Sequence, residues 1–295
     1  MDKLNHCPSC NKEAAGAYCG TCGEKLEDVH VYSTWQFLKQ SFGVITNLDG
    51  KFYQTFLLLV KKPGNLAEAY LIGQRKPYLR PIQLFLIANV VYFLVQPLTV
   101  YNPLNNTLSS HMYRQVYSAQ AEIERVVKEE VARRDVPFEQ FEAVFNQKAV
   151  TFAKTFVFIQ IPIFAFLLYL FFGRSRKYFV EHLVFSVHFY AFILFFVFSI
   201  FLFFFGWGYR YLLEVFLWDY IENSPNGQLM GRIADLISEQ SAGPLTFAYL
   251  YFATRRFYKE SKIMCFVKTL ILCYLFLYVM YLYRFILFWI TFYSM

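Results

Sequence analysis

Near the middle of the chain, residues 183–208 read LVFSVHFYAFILFFVFSIFLFFFGWG, without a single lysine, arginine, aspartate or glutamate. His188 is the only titratable side chain in this stretch apart from tyrosine. A helix needs about 20 apolar residues to cross the hydrocarbon core of a bilayer. An uncharged run of this length is typical of a membrane span, and it predicts an integral membrane protein.

Further apolar segments lie on both sides of this central span, which we place at 183–207. Three of them are strong, at 82–101, 155–172 and 264–290, and one at 242–256 is short and weak. Hydrophobic residues make up 57% of the chain, and 36 phenylalanines and 23 tyrosines exceed what a soluble core needs. Aromatic side chains also favour bilayer interfaces. The sequence therefore predicts about five transmembrane helices.

Basic residues alternate in density along the chain and predict the orientation of the spans. They are dense just before the first span and again in 173–182 and 255–262, but balanced or outnumbered by acids in 102–154 and 209–240. Loops rich in lysine and arginine stay in the cytoplasm. This pattern predicts a cytoplasmic N-terminus and a C-terminus outside, provided that the weak segment 242–256 crosses. A four-span arrangement would leave 255–262 outside.

The N-terminal segment carries two CxxC pairs, Cys7-Pro8-Ser9-Cys10 and Cys19-Gly20-Thr21-Cys22. Two such pairs are typical of a tetrahedral zinc site, which with four thiolates has no open position for catalysis. Two disulfides are the alternative, but a cytoplasmic segment faces a reducing compartment. The metal would stabilise a segment that is too short to bury a core. We therefore predict structural zinc bound by Cys7, Cys10, Cys19 and Cys22.

The whole chain then divides into a ribbon, a linker and a bundle. We assign 1–28 to the zinc ribbon, 29–81 to interfacial or amphipathic helices, and 82–295 to the transmembrane bundle. Within the bundle, 103–150 is an outer helical loop, either a hairpin or an extended helix, which Pro137 breaks. The expected fold is an all-α membrane protein with about five transmembrane helices, interfacial helices and a small N-terminal four-cysteine zinc ribbon.

The linker has helical signals of its own. Apolar residues from Phe52 to Leu59 follow a helical spacing that ends before Pro63. Asn65 with a glutamate three residues later predicts a capping box, and Gly73 predicts the C-cap of the same short helix. These helices either lie in the inner membrane interface or pack beneath the bundle, and both remain open.

Four ionisable side chains in or beside the spans are candidates for an intramembrane polar site: Glu181, His182, His188 and Arg284. Intramembrane ionisable groups are functional hypotheses by default. Glu181 and His188 are seven residues apart, so they share one helix face at an axial separation of about 10 Å. Polar packing within the bundle is the simpler explanation for all four. No GxSxG, HExxH or Walker motif occurs, so we do not predict an enzyme.

The net charge of +7 limits the classes of partner that we expect. Because the basic residues lie beside spans, we expect contacts with membrane lipids and none with nucleic acid. The favoured function is an interaction or assembly factor whose cytoplasmic ribbon docks a cytoplasmic or membrane protein. A transporter or channel for a small solute or lipid, using the intramembrane Glu, His and Arg, is the alternative. A lipid-modifying enzyme is least favoured because no catalytic set is present.

Five short motifs occur together in a fairly specific combination. They are CxxC…CxxCG at 7–23, Lys62-Pro63-Gly64, Tyr70-x-x-Gly73-x-Arg75-x-x-Tyr78-x-x-Pro81, Phe179-Val180-Glu181-His182-Leu183-Val184-Phe185 with His188-Phe189, and Arg256-Phe257-Tyr258. In these the chain resembles a bacterial family of zinc-ribbon, multi-pass membrane proteins known only as a domain of unknown function. The resemblance covers most of the chain and implies a bacterial inner membrane and a cytoplasmic zinc ribbon. It implies no activity.

Overall fold

The computed structural model describes residues 6–13, 17–24, 51–99, 104, 106–113, 117–212 and 242–295. Residues 29–50 of the predicted linker lie outside this description, as do parts of the ribbon 1–28. The chain divides into two compact units. The first unit comprises Met1–Tyr101 and Ala165–Ile271, and the second comprises Asn102–Phe164 and Leu272–Met295.

Apart from the N-terminal segment, the described chain is helical, as the sequence predicts. The α-helices are α1 (Lys51–Lys61), α2 (Asn65–Leu71), α3 (Pro81–Val95), α4 (Leu108–Tyr113), α5 (Tyr117–Arg134), α6 (Phe138–Phe156), α7 (Gln160–Phe172), α8 (Phe179–Phe192), α9 (Leu202–Leu212), α10 (Ala242–Tyr258) and α11 (Lys262–Tyr293). A 3-10 turn, Gln96–Leu98, follows α3, and another, Val157–Ile159, joins α6 to α7. A π-helix, Ile193–Phe201, joins α8 to α9.

Four described helices are long and apolar enough to cross a membrane. They contain most or all of the predicted spans 82–101, 155–172, 183–207 and 264–290, and they run over Pro81–Leu98, Phe138–Phe172, Phe179–Gly208 and Lys262–Tyr293. The fifth predicted span, 242–256, forms α10, which has 17 residues and is not among these four. Its crossing of the membrane therefore stays a prediction.

The helix α1 forms as its apolar spacing predicts and buries Thr55, Phe56 and Leu59. The predicted capping box at Asn65 is wrong. The N-cap residue of α2 is Gly64, in the left-handed conformation with φ 79°, and it forms no side-chain cap bond. A Cβ atom at this position would lie 2.6 Å from the carbonyl oxygen of Ala253. The close approach of α10 therefore requires glycine at the start of α2.

The prediction that Gly73 ends α2 is confirmed. Gly73 is left-handed with φ 94°, and its N–H donates to the Tyr70 carbonyl at 3.2 Å. The next N–H, of Gln74, donates to the Ala69 carbonyl at 2.9 Å. This pair of bonds is the Schellman motif, in which glycine adopts the left-handed conformation without steric cost.

In the first unit α3 packs along α8 and the π-helix, and α2 packs against α8 and α10. Aromatic rings fill the space between these helices. The Phe192 ring stacks on Tyr249 of α10 with centroids 3.5 Å apart. The ring of Tyr92, on α3, meets Phe198 of the π-helix at 6.0 Å. This apolar core positions the start of α8, where three of the predicted polar residues lie.

The π-helix in the third candidate span has no counterpart among the sequence predictions. It covers nine residues, and the Ser199 hydroxyl donates to the Leu194 carbonyl, five residues earlier, at 2.7 Å. π-Helical segments are rare and are often found at functional sites. The run 193–201 is apolar apart from Ser199, and hydropathy does not distinguish a π-helix from an α-helix, so the sequence does not predict this segment.

The second unit contains the predicted outer helical loop. Its core consists of Leu108, Met112, Ile123, Val127, Phe141, Phe145, Ala149 and Phe288. The chain breaks where Pro137 predicts: α5 ends at Arg134, Asp135 has φ 53°, and α6 begins directly after the proline. Helix α6 then continues through the 3-10 turn into α7.

Candidate functional site

The two CxxC pairs form two turns of the same shape. In the first, the Asn11 N–H donates to the Cys7 carbonyl at 2.8 Å, and in the second the Gly23 N–H donates to the Cys19 carbonyl at 2.7 Å. Asn11 and Gly23 both follow the second cysteine of their pair, and both are left-handed, with φ 58° and 66°. Each turn therefore reverses the chain around its two thiols.

The four thiols of these turns form one cluster. All four sulfur atoms lie within 4.8 Å of one another, with Cys7 and Cys22 at 3.5 Å and Cys10 and Cys19 at 3.6 Å. All four cysteines are free, so the alternative of two disulfides does not describe this arrangement. Zinc–sulfur bonds of about 2.3 Å in a tetrahedron place sulfurs about 3.8 Å apart. The cluster therefore fits a metal ion of this kind.

Backbone groups favour the ligand form of one thiol. The N–H groups of Cys22 and Thr21 point at the Cys19 sulfur and lower the pKa of this thiol to about 6. The thiolate, not the thiol, is the metal ligand. The backbone of the second turn therefore favours Cys19 as a thiolate ligand.

The ribbon is fixed to the helical part of the first unit by polar contacts that the sequence analysis missed. Glu24 is buried, and its Oε2 accepts hydrogen bonds from the Ser9 hydroxyl at 2.6 Å and the Lys76 N–H at 2.8 Å. The Gln74 side-chain amide donates to the Pro8 carbonyl at 2.7 Å. Both CxxC turns are therefore tied to the loop between α2 and α3. An acidic residue directly after CxxCG was the available signal.

At the start of α8, Glu181 is held by two partners. Its Oε1 accepts a hydrogen bond from Nη1 of Arg176 at 3.0 Å, and its Oε2 accepts one from the Tyr178 N–H at 3.2 Å. The Arg176 guanidinium also lies over the Phe257 ring, 4.7 Å from its centroid. The Glu181 side chain is 3% exposed, so this ion pair compensates a buried charge. The predicted site residue thus caps its own helix.

The neighbouring His182 connects α8 to α10. Its Nε2 lies 3.1 Å from the Arg176 carbonyl, which only accepts, so Nε2 carries the proton. Its Nδ1 then accepts from the Tyr258 hydroxyl, which lies at 2.9 Å. The Tyr258 ring stacks on Phe172 with centroids 4.1 Å apart. The structure therefore brings Glu181 and His182 into one cluster with Arg176, Phe257 and Tyr258.

His188, the third predicted residue of α8, has different partners. Its Nδ1 donates to the Val184 carbonyl at 2.8 Å. The ring borders a cavity of about 10 Å³ between α2, α8 and α10, which Gly64 and Tyr249 also line. A space of about 10–15 Å³ holds one water molecule at most. Glu181 and His188 lie on the same helix, but their side chains bind different groups.

Arg284, the fourth predicted residue, belongs to the second unit. It is buried, and its Nη2 donates to the Ser110 carbonyl at 2.9 Å and to the Ser110 hydroxyl at 3.0 Å. His111 follows Ser110 in the chain. Its ring lies between those of Phe145 and Phe288, with centroid distances of 5.8 and 5.6 Å. Burial, with the nearby charge of Arg284, lowers the pKa of His111 to about 3. His111 was not singled out by the sequence, where it is an isolated histidine in a polar loop.

Comparison with known proteins finds one family. Residues 49–93 match the family described as Protein of unknown function (DUF3667). No curated protein and no solved structure matches the chain. The match supports the resemblance to a domain of unknown function, and the zinc ribbon and bacterial origin that the resemblance implies stay predictions.

The matched range, residues 49–93, includes the helices and the loop that contact the ribbon and α10. It covers α1, α2 and most of α3, and therefore includes Gly64, which α10 approaches closely. It also includes Gln74 and Lys76, whose amide groups bind the ribbon. The family likeness thus falls on the part of the chain that holds the CxxC turns against the first unit.

Proposed function

We propose that the protein is an interaction or assembly factor of the bacterial inner membrane, and that its N-terminal ribbon binds structural zinc and docks a protein partner in the cytoplasm. The observation that carries the proposal is the closed four-cysteine cluster fixed to the α2–α3 loop by Glu24 and Gln74. Four thiolates leave no position for a substrate on the metal. Such a module supplies a surface instead of a reaction.

Zinc is the metal that this donor set favours. Soft thiolate ligands in a tetrahedron select zinc or iron, and paired CxxC turns are typical of structural zinc. The alternating basic residues support a ribbon on the cytoplasmic side, with five spans and the C-terminus outside. This topology requires α10 to cross the membrane, and its 17 residues extend about 26 Å, close to the thickness of the hydrocarbon core.

The surface that the ribbon offers to a partner contains Tyr18. This side chain is 59% exposed, directly before the buried Cys19, in a module with two of its four cysteines buried. Exposed tyrosines on rigid modules are enriched at interaction hot spots. Because the bonds from Lys76 to Glu24 and from Gln74 to Pro8 tie the ribbon to the α2–α3 loop, Tyr18 has a fixed position relative to the helices of the first unit.

The test is co-purification of partners with the full-length protein after crosslinking in cells. We expect Tyr18→Ala to lose a partner that wild type captures, while metal content stays at wild-type level. Tyr53→Ala is the matched control, because Tyr53 is 70% exposed on α1, outside the ribbon. Equal capture by Tyr18→Ala and wild type would contradict docking through this face, and equal loss with both variants would contradict its specificity.

A transporter or channel is the second candidate. It is favoured by three buried titratable side chains, Glu181, His182 and His188, within one candidate span. Against it, the cavity beside His188 measures about 10 Å³, and Glu181 and His182 are already bound to Arg176 and Tyr258. Flux into liposomes that His188→Ala abolishes, with the fold retained, would favour this candidate over the docking function.

A further inference from the structure

An open cleft of about 400 Å³ lies in the first unit where α8 begins and α10 ends. One wall is the segment before α8, with Ser175, Arg176, Lys177 and Tyr178, and the other is the end of α10 with Phe257, Tyr258 and Lys259. Glu181 is at its base. Ligand pockets typically have volumes of about 300–1,000 Å³, so a small molecule or headgroup fits this space.

The charge of the cleft is positive. Its single lining carboxylate, Glu181, is held by Arg176 at 3.0 Å. Two more carboxylates lie nearby and are also paired: Glu68 with Lys259 at 2.7 Å, and Glu260 with a lysine of α11 at 2.7 Å. The charges of these pairs compensate each other, so Lys177 sets the electrostatic potential of the cleft.

Lys177 is the lining cation that is available for a ligand. Its side chain is exposed, and it forms no ion pair with the residues that the structure describes. Arg174 is also exposed, three residues earlier in the same segment, but it does not line the cleft. An anion in the cleft would therefore meet Lys177 first, with Arg176 fixed behind it.

The position of the cleft favours a lipid as the source of that anion. A candidate span begins at Phe179, so the cleft lies where the hydrocarbon core gives way to headgroups. Tyr178 is 52% exposed at its edge, and tyrosine is enriched at this depth of the membrane. A few residues along the chain from Lys259, the first turn of α11 carries Ile263 and Met264, 79% and 52% exposed, which offer an apolar surface to acyl chains.

We propose that this cleft binds the phosphate group of an anionic phospholipid, with Lys177 as the principal contact and Arg176 and Tyr178 as its walls. Basic pockets between transmembrane helices bind lipid headgroups in this way. The proposal rests on the helices lying in a membrane and is independent of the docking function of the ribbon.

The test uses the full-length protein in nanodiscs of phosphatidylcholine doped with phosphatidylglycerol. Native mass spectrometry after transfer to detergent counts the phosphatidylglycerol molecules that stay bound. We expect Lys177→Gln to lower this retention about thirty-fold, because it removes a charge-assisted hydrogen bond to the lipid phosphate, whereas the loss of one surface charge alone lowers it about five-fold. Arg174→Gln is the matched control, since it removes the same charge from the same segment outside the cleft.

Three outcomes would overturn the proposal. Equal losses with Lys177→Gln and Arg174→Gln would reduce the effect to general surface charge. Unchanged retention with Lys177→Gln would exclude the cleft. A separate arm adds inorganic phosphate to the wild-type protein in detergent. We expect the bound lipid to resist it, whereas binding of phosphate without lipid retention would show a site for a soluble anion. Thermal unfolding of both variants at the wild-type temperature confirms that these exposed substitutions leave the fold intact.

Discussion

The ribbon and the helical part of the first unit are stabilised by opposite means. Among the described residues of the ribbon, 6–13 and 17–24, the buried side chains are small or polar, namely Cys7, Cys19 and Glu24, and Tyr18 is exposed. In the helices the fully buried side chains are large, and Phe192 and Tyr92 are among them. With the proposed zinc site, one region depends on a ligand and the other on packing, so each should fail under conditions that leave the other intact.

The largest effect should come from removing the zinc that we propose for the ribbon. Structural zinc contributes about 10–16 kcal/mol to the folding of small modules. We expect a chelator, or Cys19→Ser, to make the ribbon sensitive to protease in the full-length protein, while the helical circular dichroism hardly changes. Cys273→Ser is the matched control, because this thiol lies on α11 outside the cluster. A ribbon that stays protected without metal would remove the contrast between the two regions.

In the helical region the largest single-residue effect should come from Glu181→Gln. The change leaves Arg176, 21% exposed, without its carboxylate in a half-buried position. Breaking a buried pair by removing one partner costs about 3 kcal/mol or more. We expect a lower unfolding temperature in detergent and an unchanged zinc content.

An exposed glutamate provides the control for this change. Glu124 pairs with Lys128 at 2.6 Å on α5, with side chains 43% and 70% exposed. Such a pair one helical turn apart contributes about 0.5 kcal/mol or less. Glu124→Gln should therefore unfold at the wild-type temperature. An equal fall in the unfolding temperature of Glu124→Gln and Glu181→Gln would mean that burial does not determine how much these ion pairs stabilise the protein.

Gly64→Ala should destabilise the same region through its backbone. The residue has φ 79°, and a methyl group would lie 2.6 Å from the Ala253 carbonyl oxygen. Strain of this kind costs about 1–3 kcal/mol. Gly208→Ala, with nothing within 4 Å of its Cβ position, should unfold at the wild-type temperature or slightly above it. Identical unfolding of both variants would show that α2 and α10 are not in close contact.

The sequence predicts the features that depend on composition and local spacing. The candidate spans follow from uncharged runs, the cluster of four thiols from two CxxC pairs, and the end of α2 from Gly73, because each signal is contained in a few neighbouring residues. Pro137 likewise predicts the break between α5 and α6, since it lacks the N–H that a helix interior needs.

The sequence could not predict features that depend on a distant partner. Asn65 and Glu68 have the spacing of a capping box, but Lys259 of a distant segment pairs with Glu68, and Gly64 must fit beneath Ala253. From the sequence alone, Glu24 resembles an ordinary surface acid, because its partner, the Lys76 N–H, is distant in the chain. The polar residues Glu181 and His188 share a helix, but their partners are set by tertiary packing.

Acid should lower the stability of the core of the second unit through His111. Burial lowers the pKa of His111 from 6.5 to about 3, so this side chain stays neutral in the folded protein. Between these two values the unfolded chain binds more protons, and stability therefore falls as the pH drops below about 6.5. At pH 5 the loss should be about 2 kcal/mol relative to pH 7.

The measurement compares thermal unfolding at pH 7 and pH 5 for wild type and His111→Phe. The variant keeps a ring between Phe145 and Phe288 but has no proton to bind, so its unfolding temperature should fall less at pH 5. Acid also displaces metal from thiolates, but this loss is common to both proteins and cancels in the comparison. An equal fall in both would contradict the prediction, because His111 would then not set the acid sensitivity of this core.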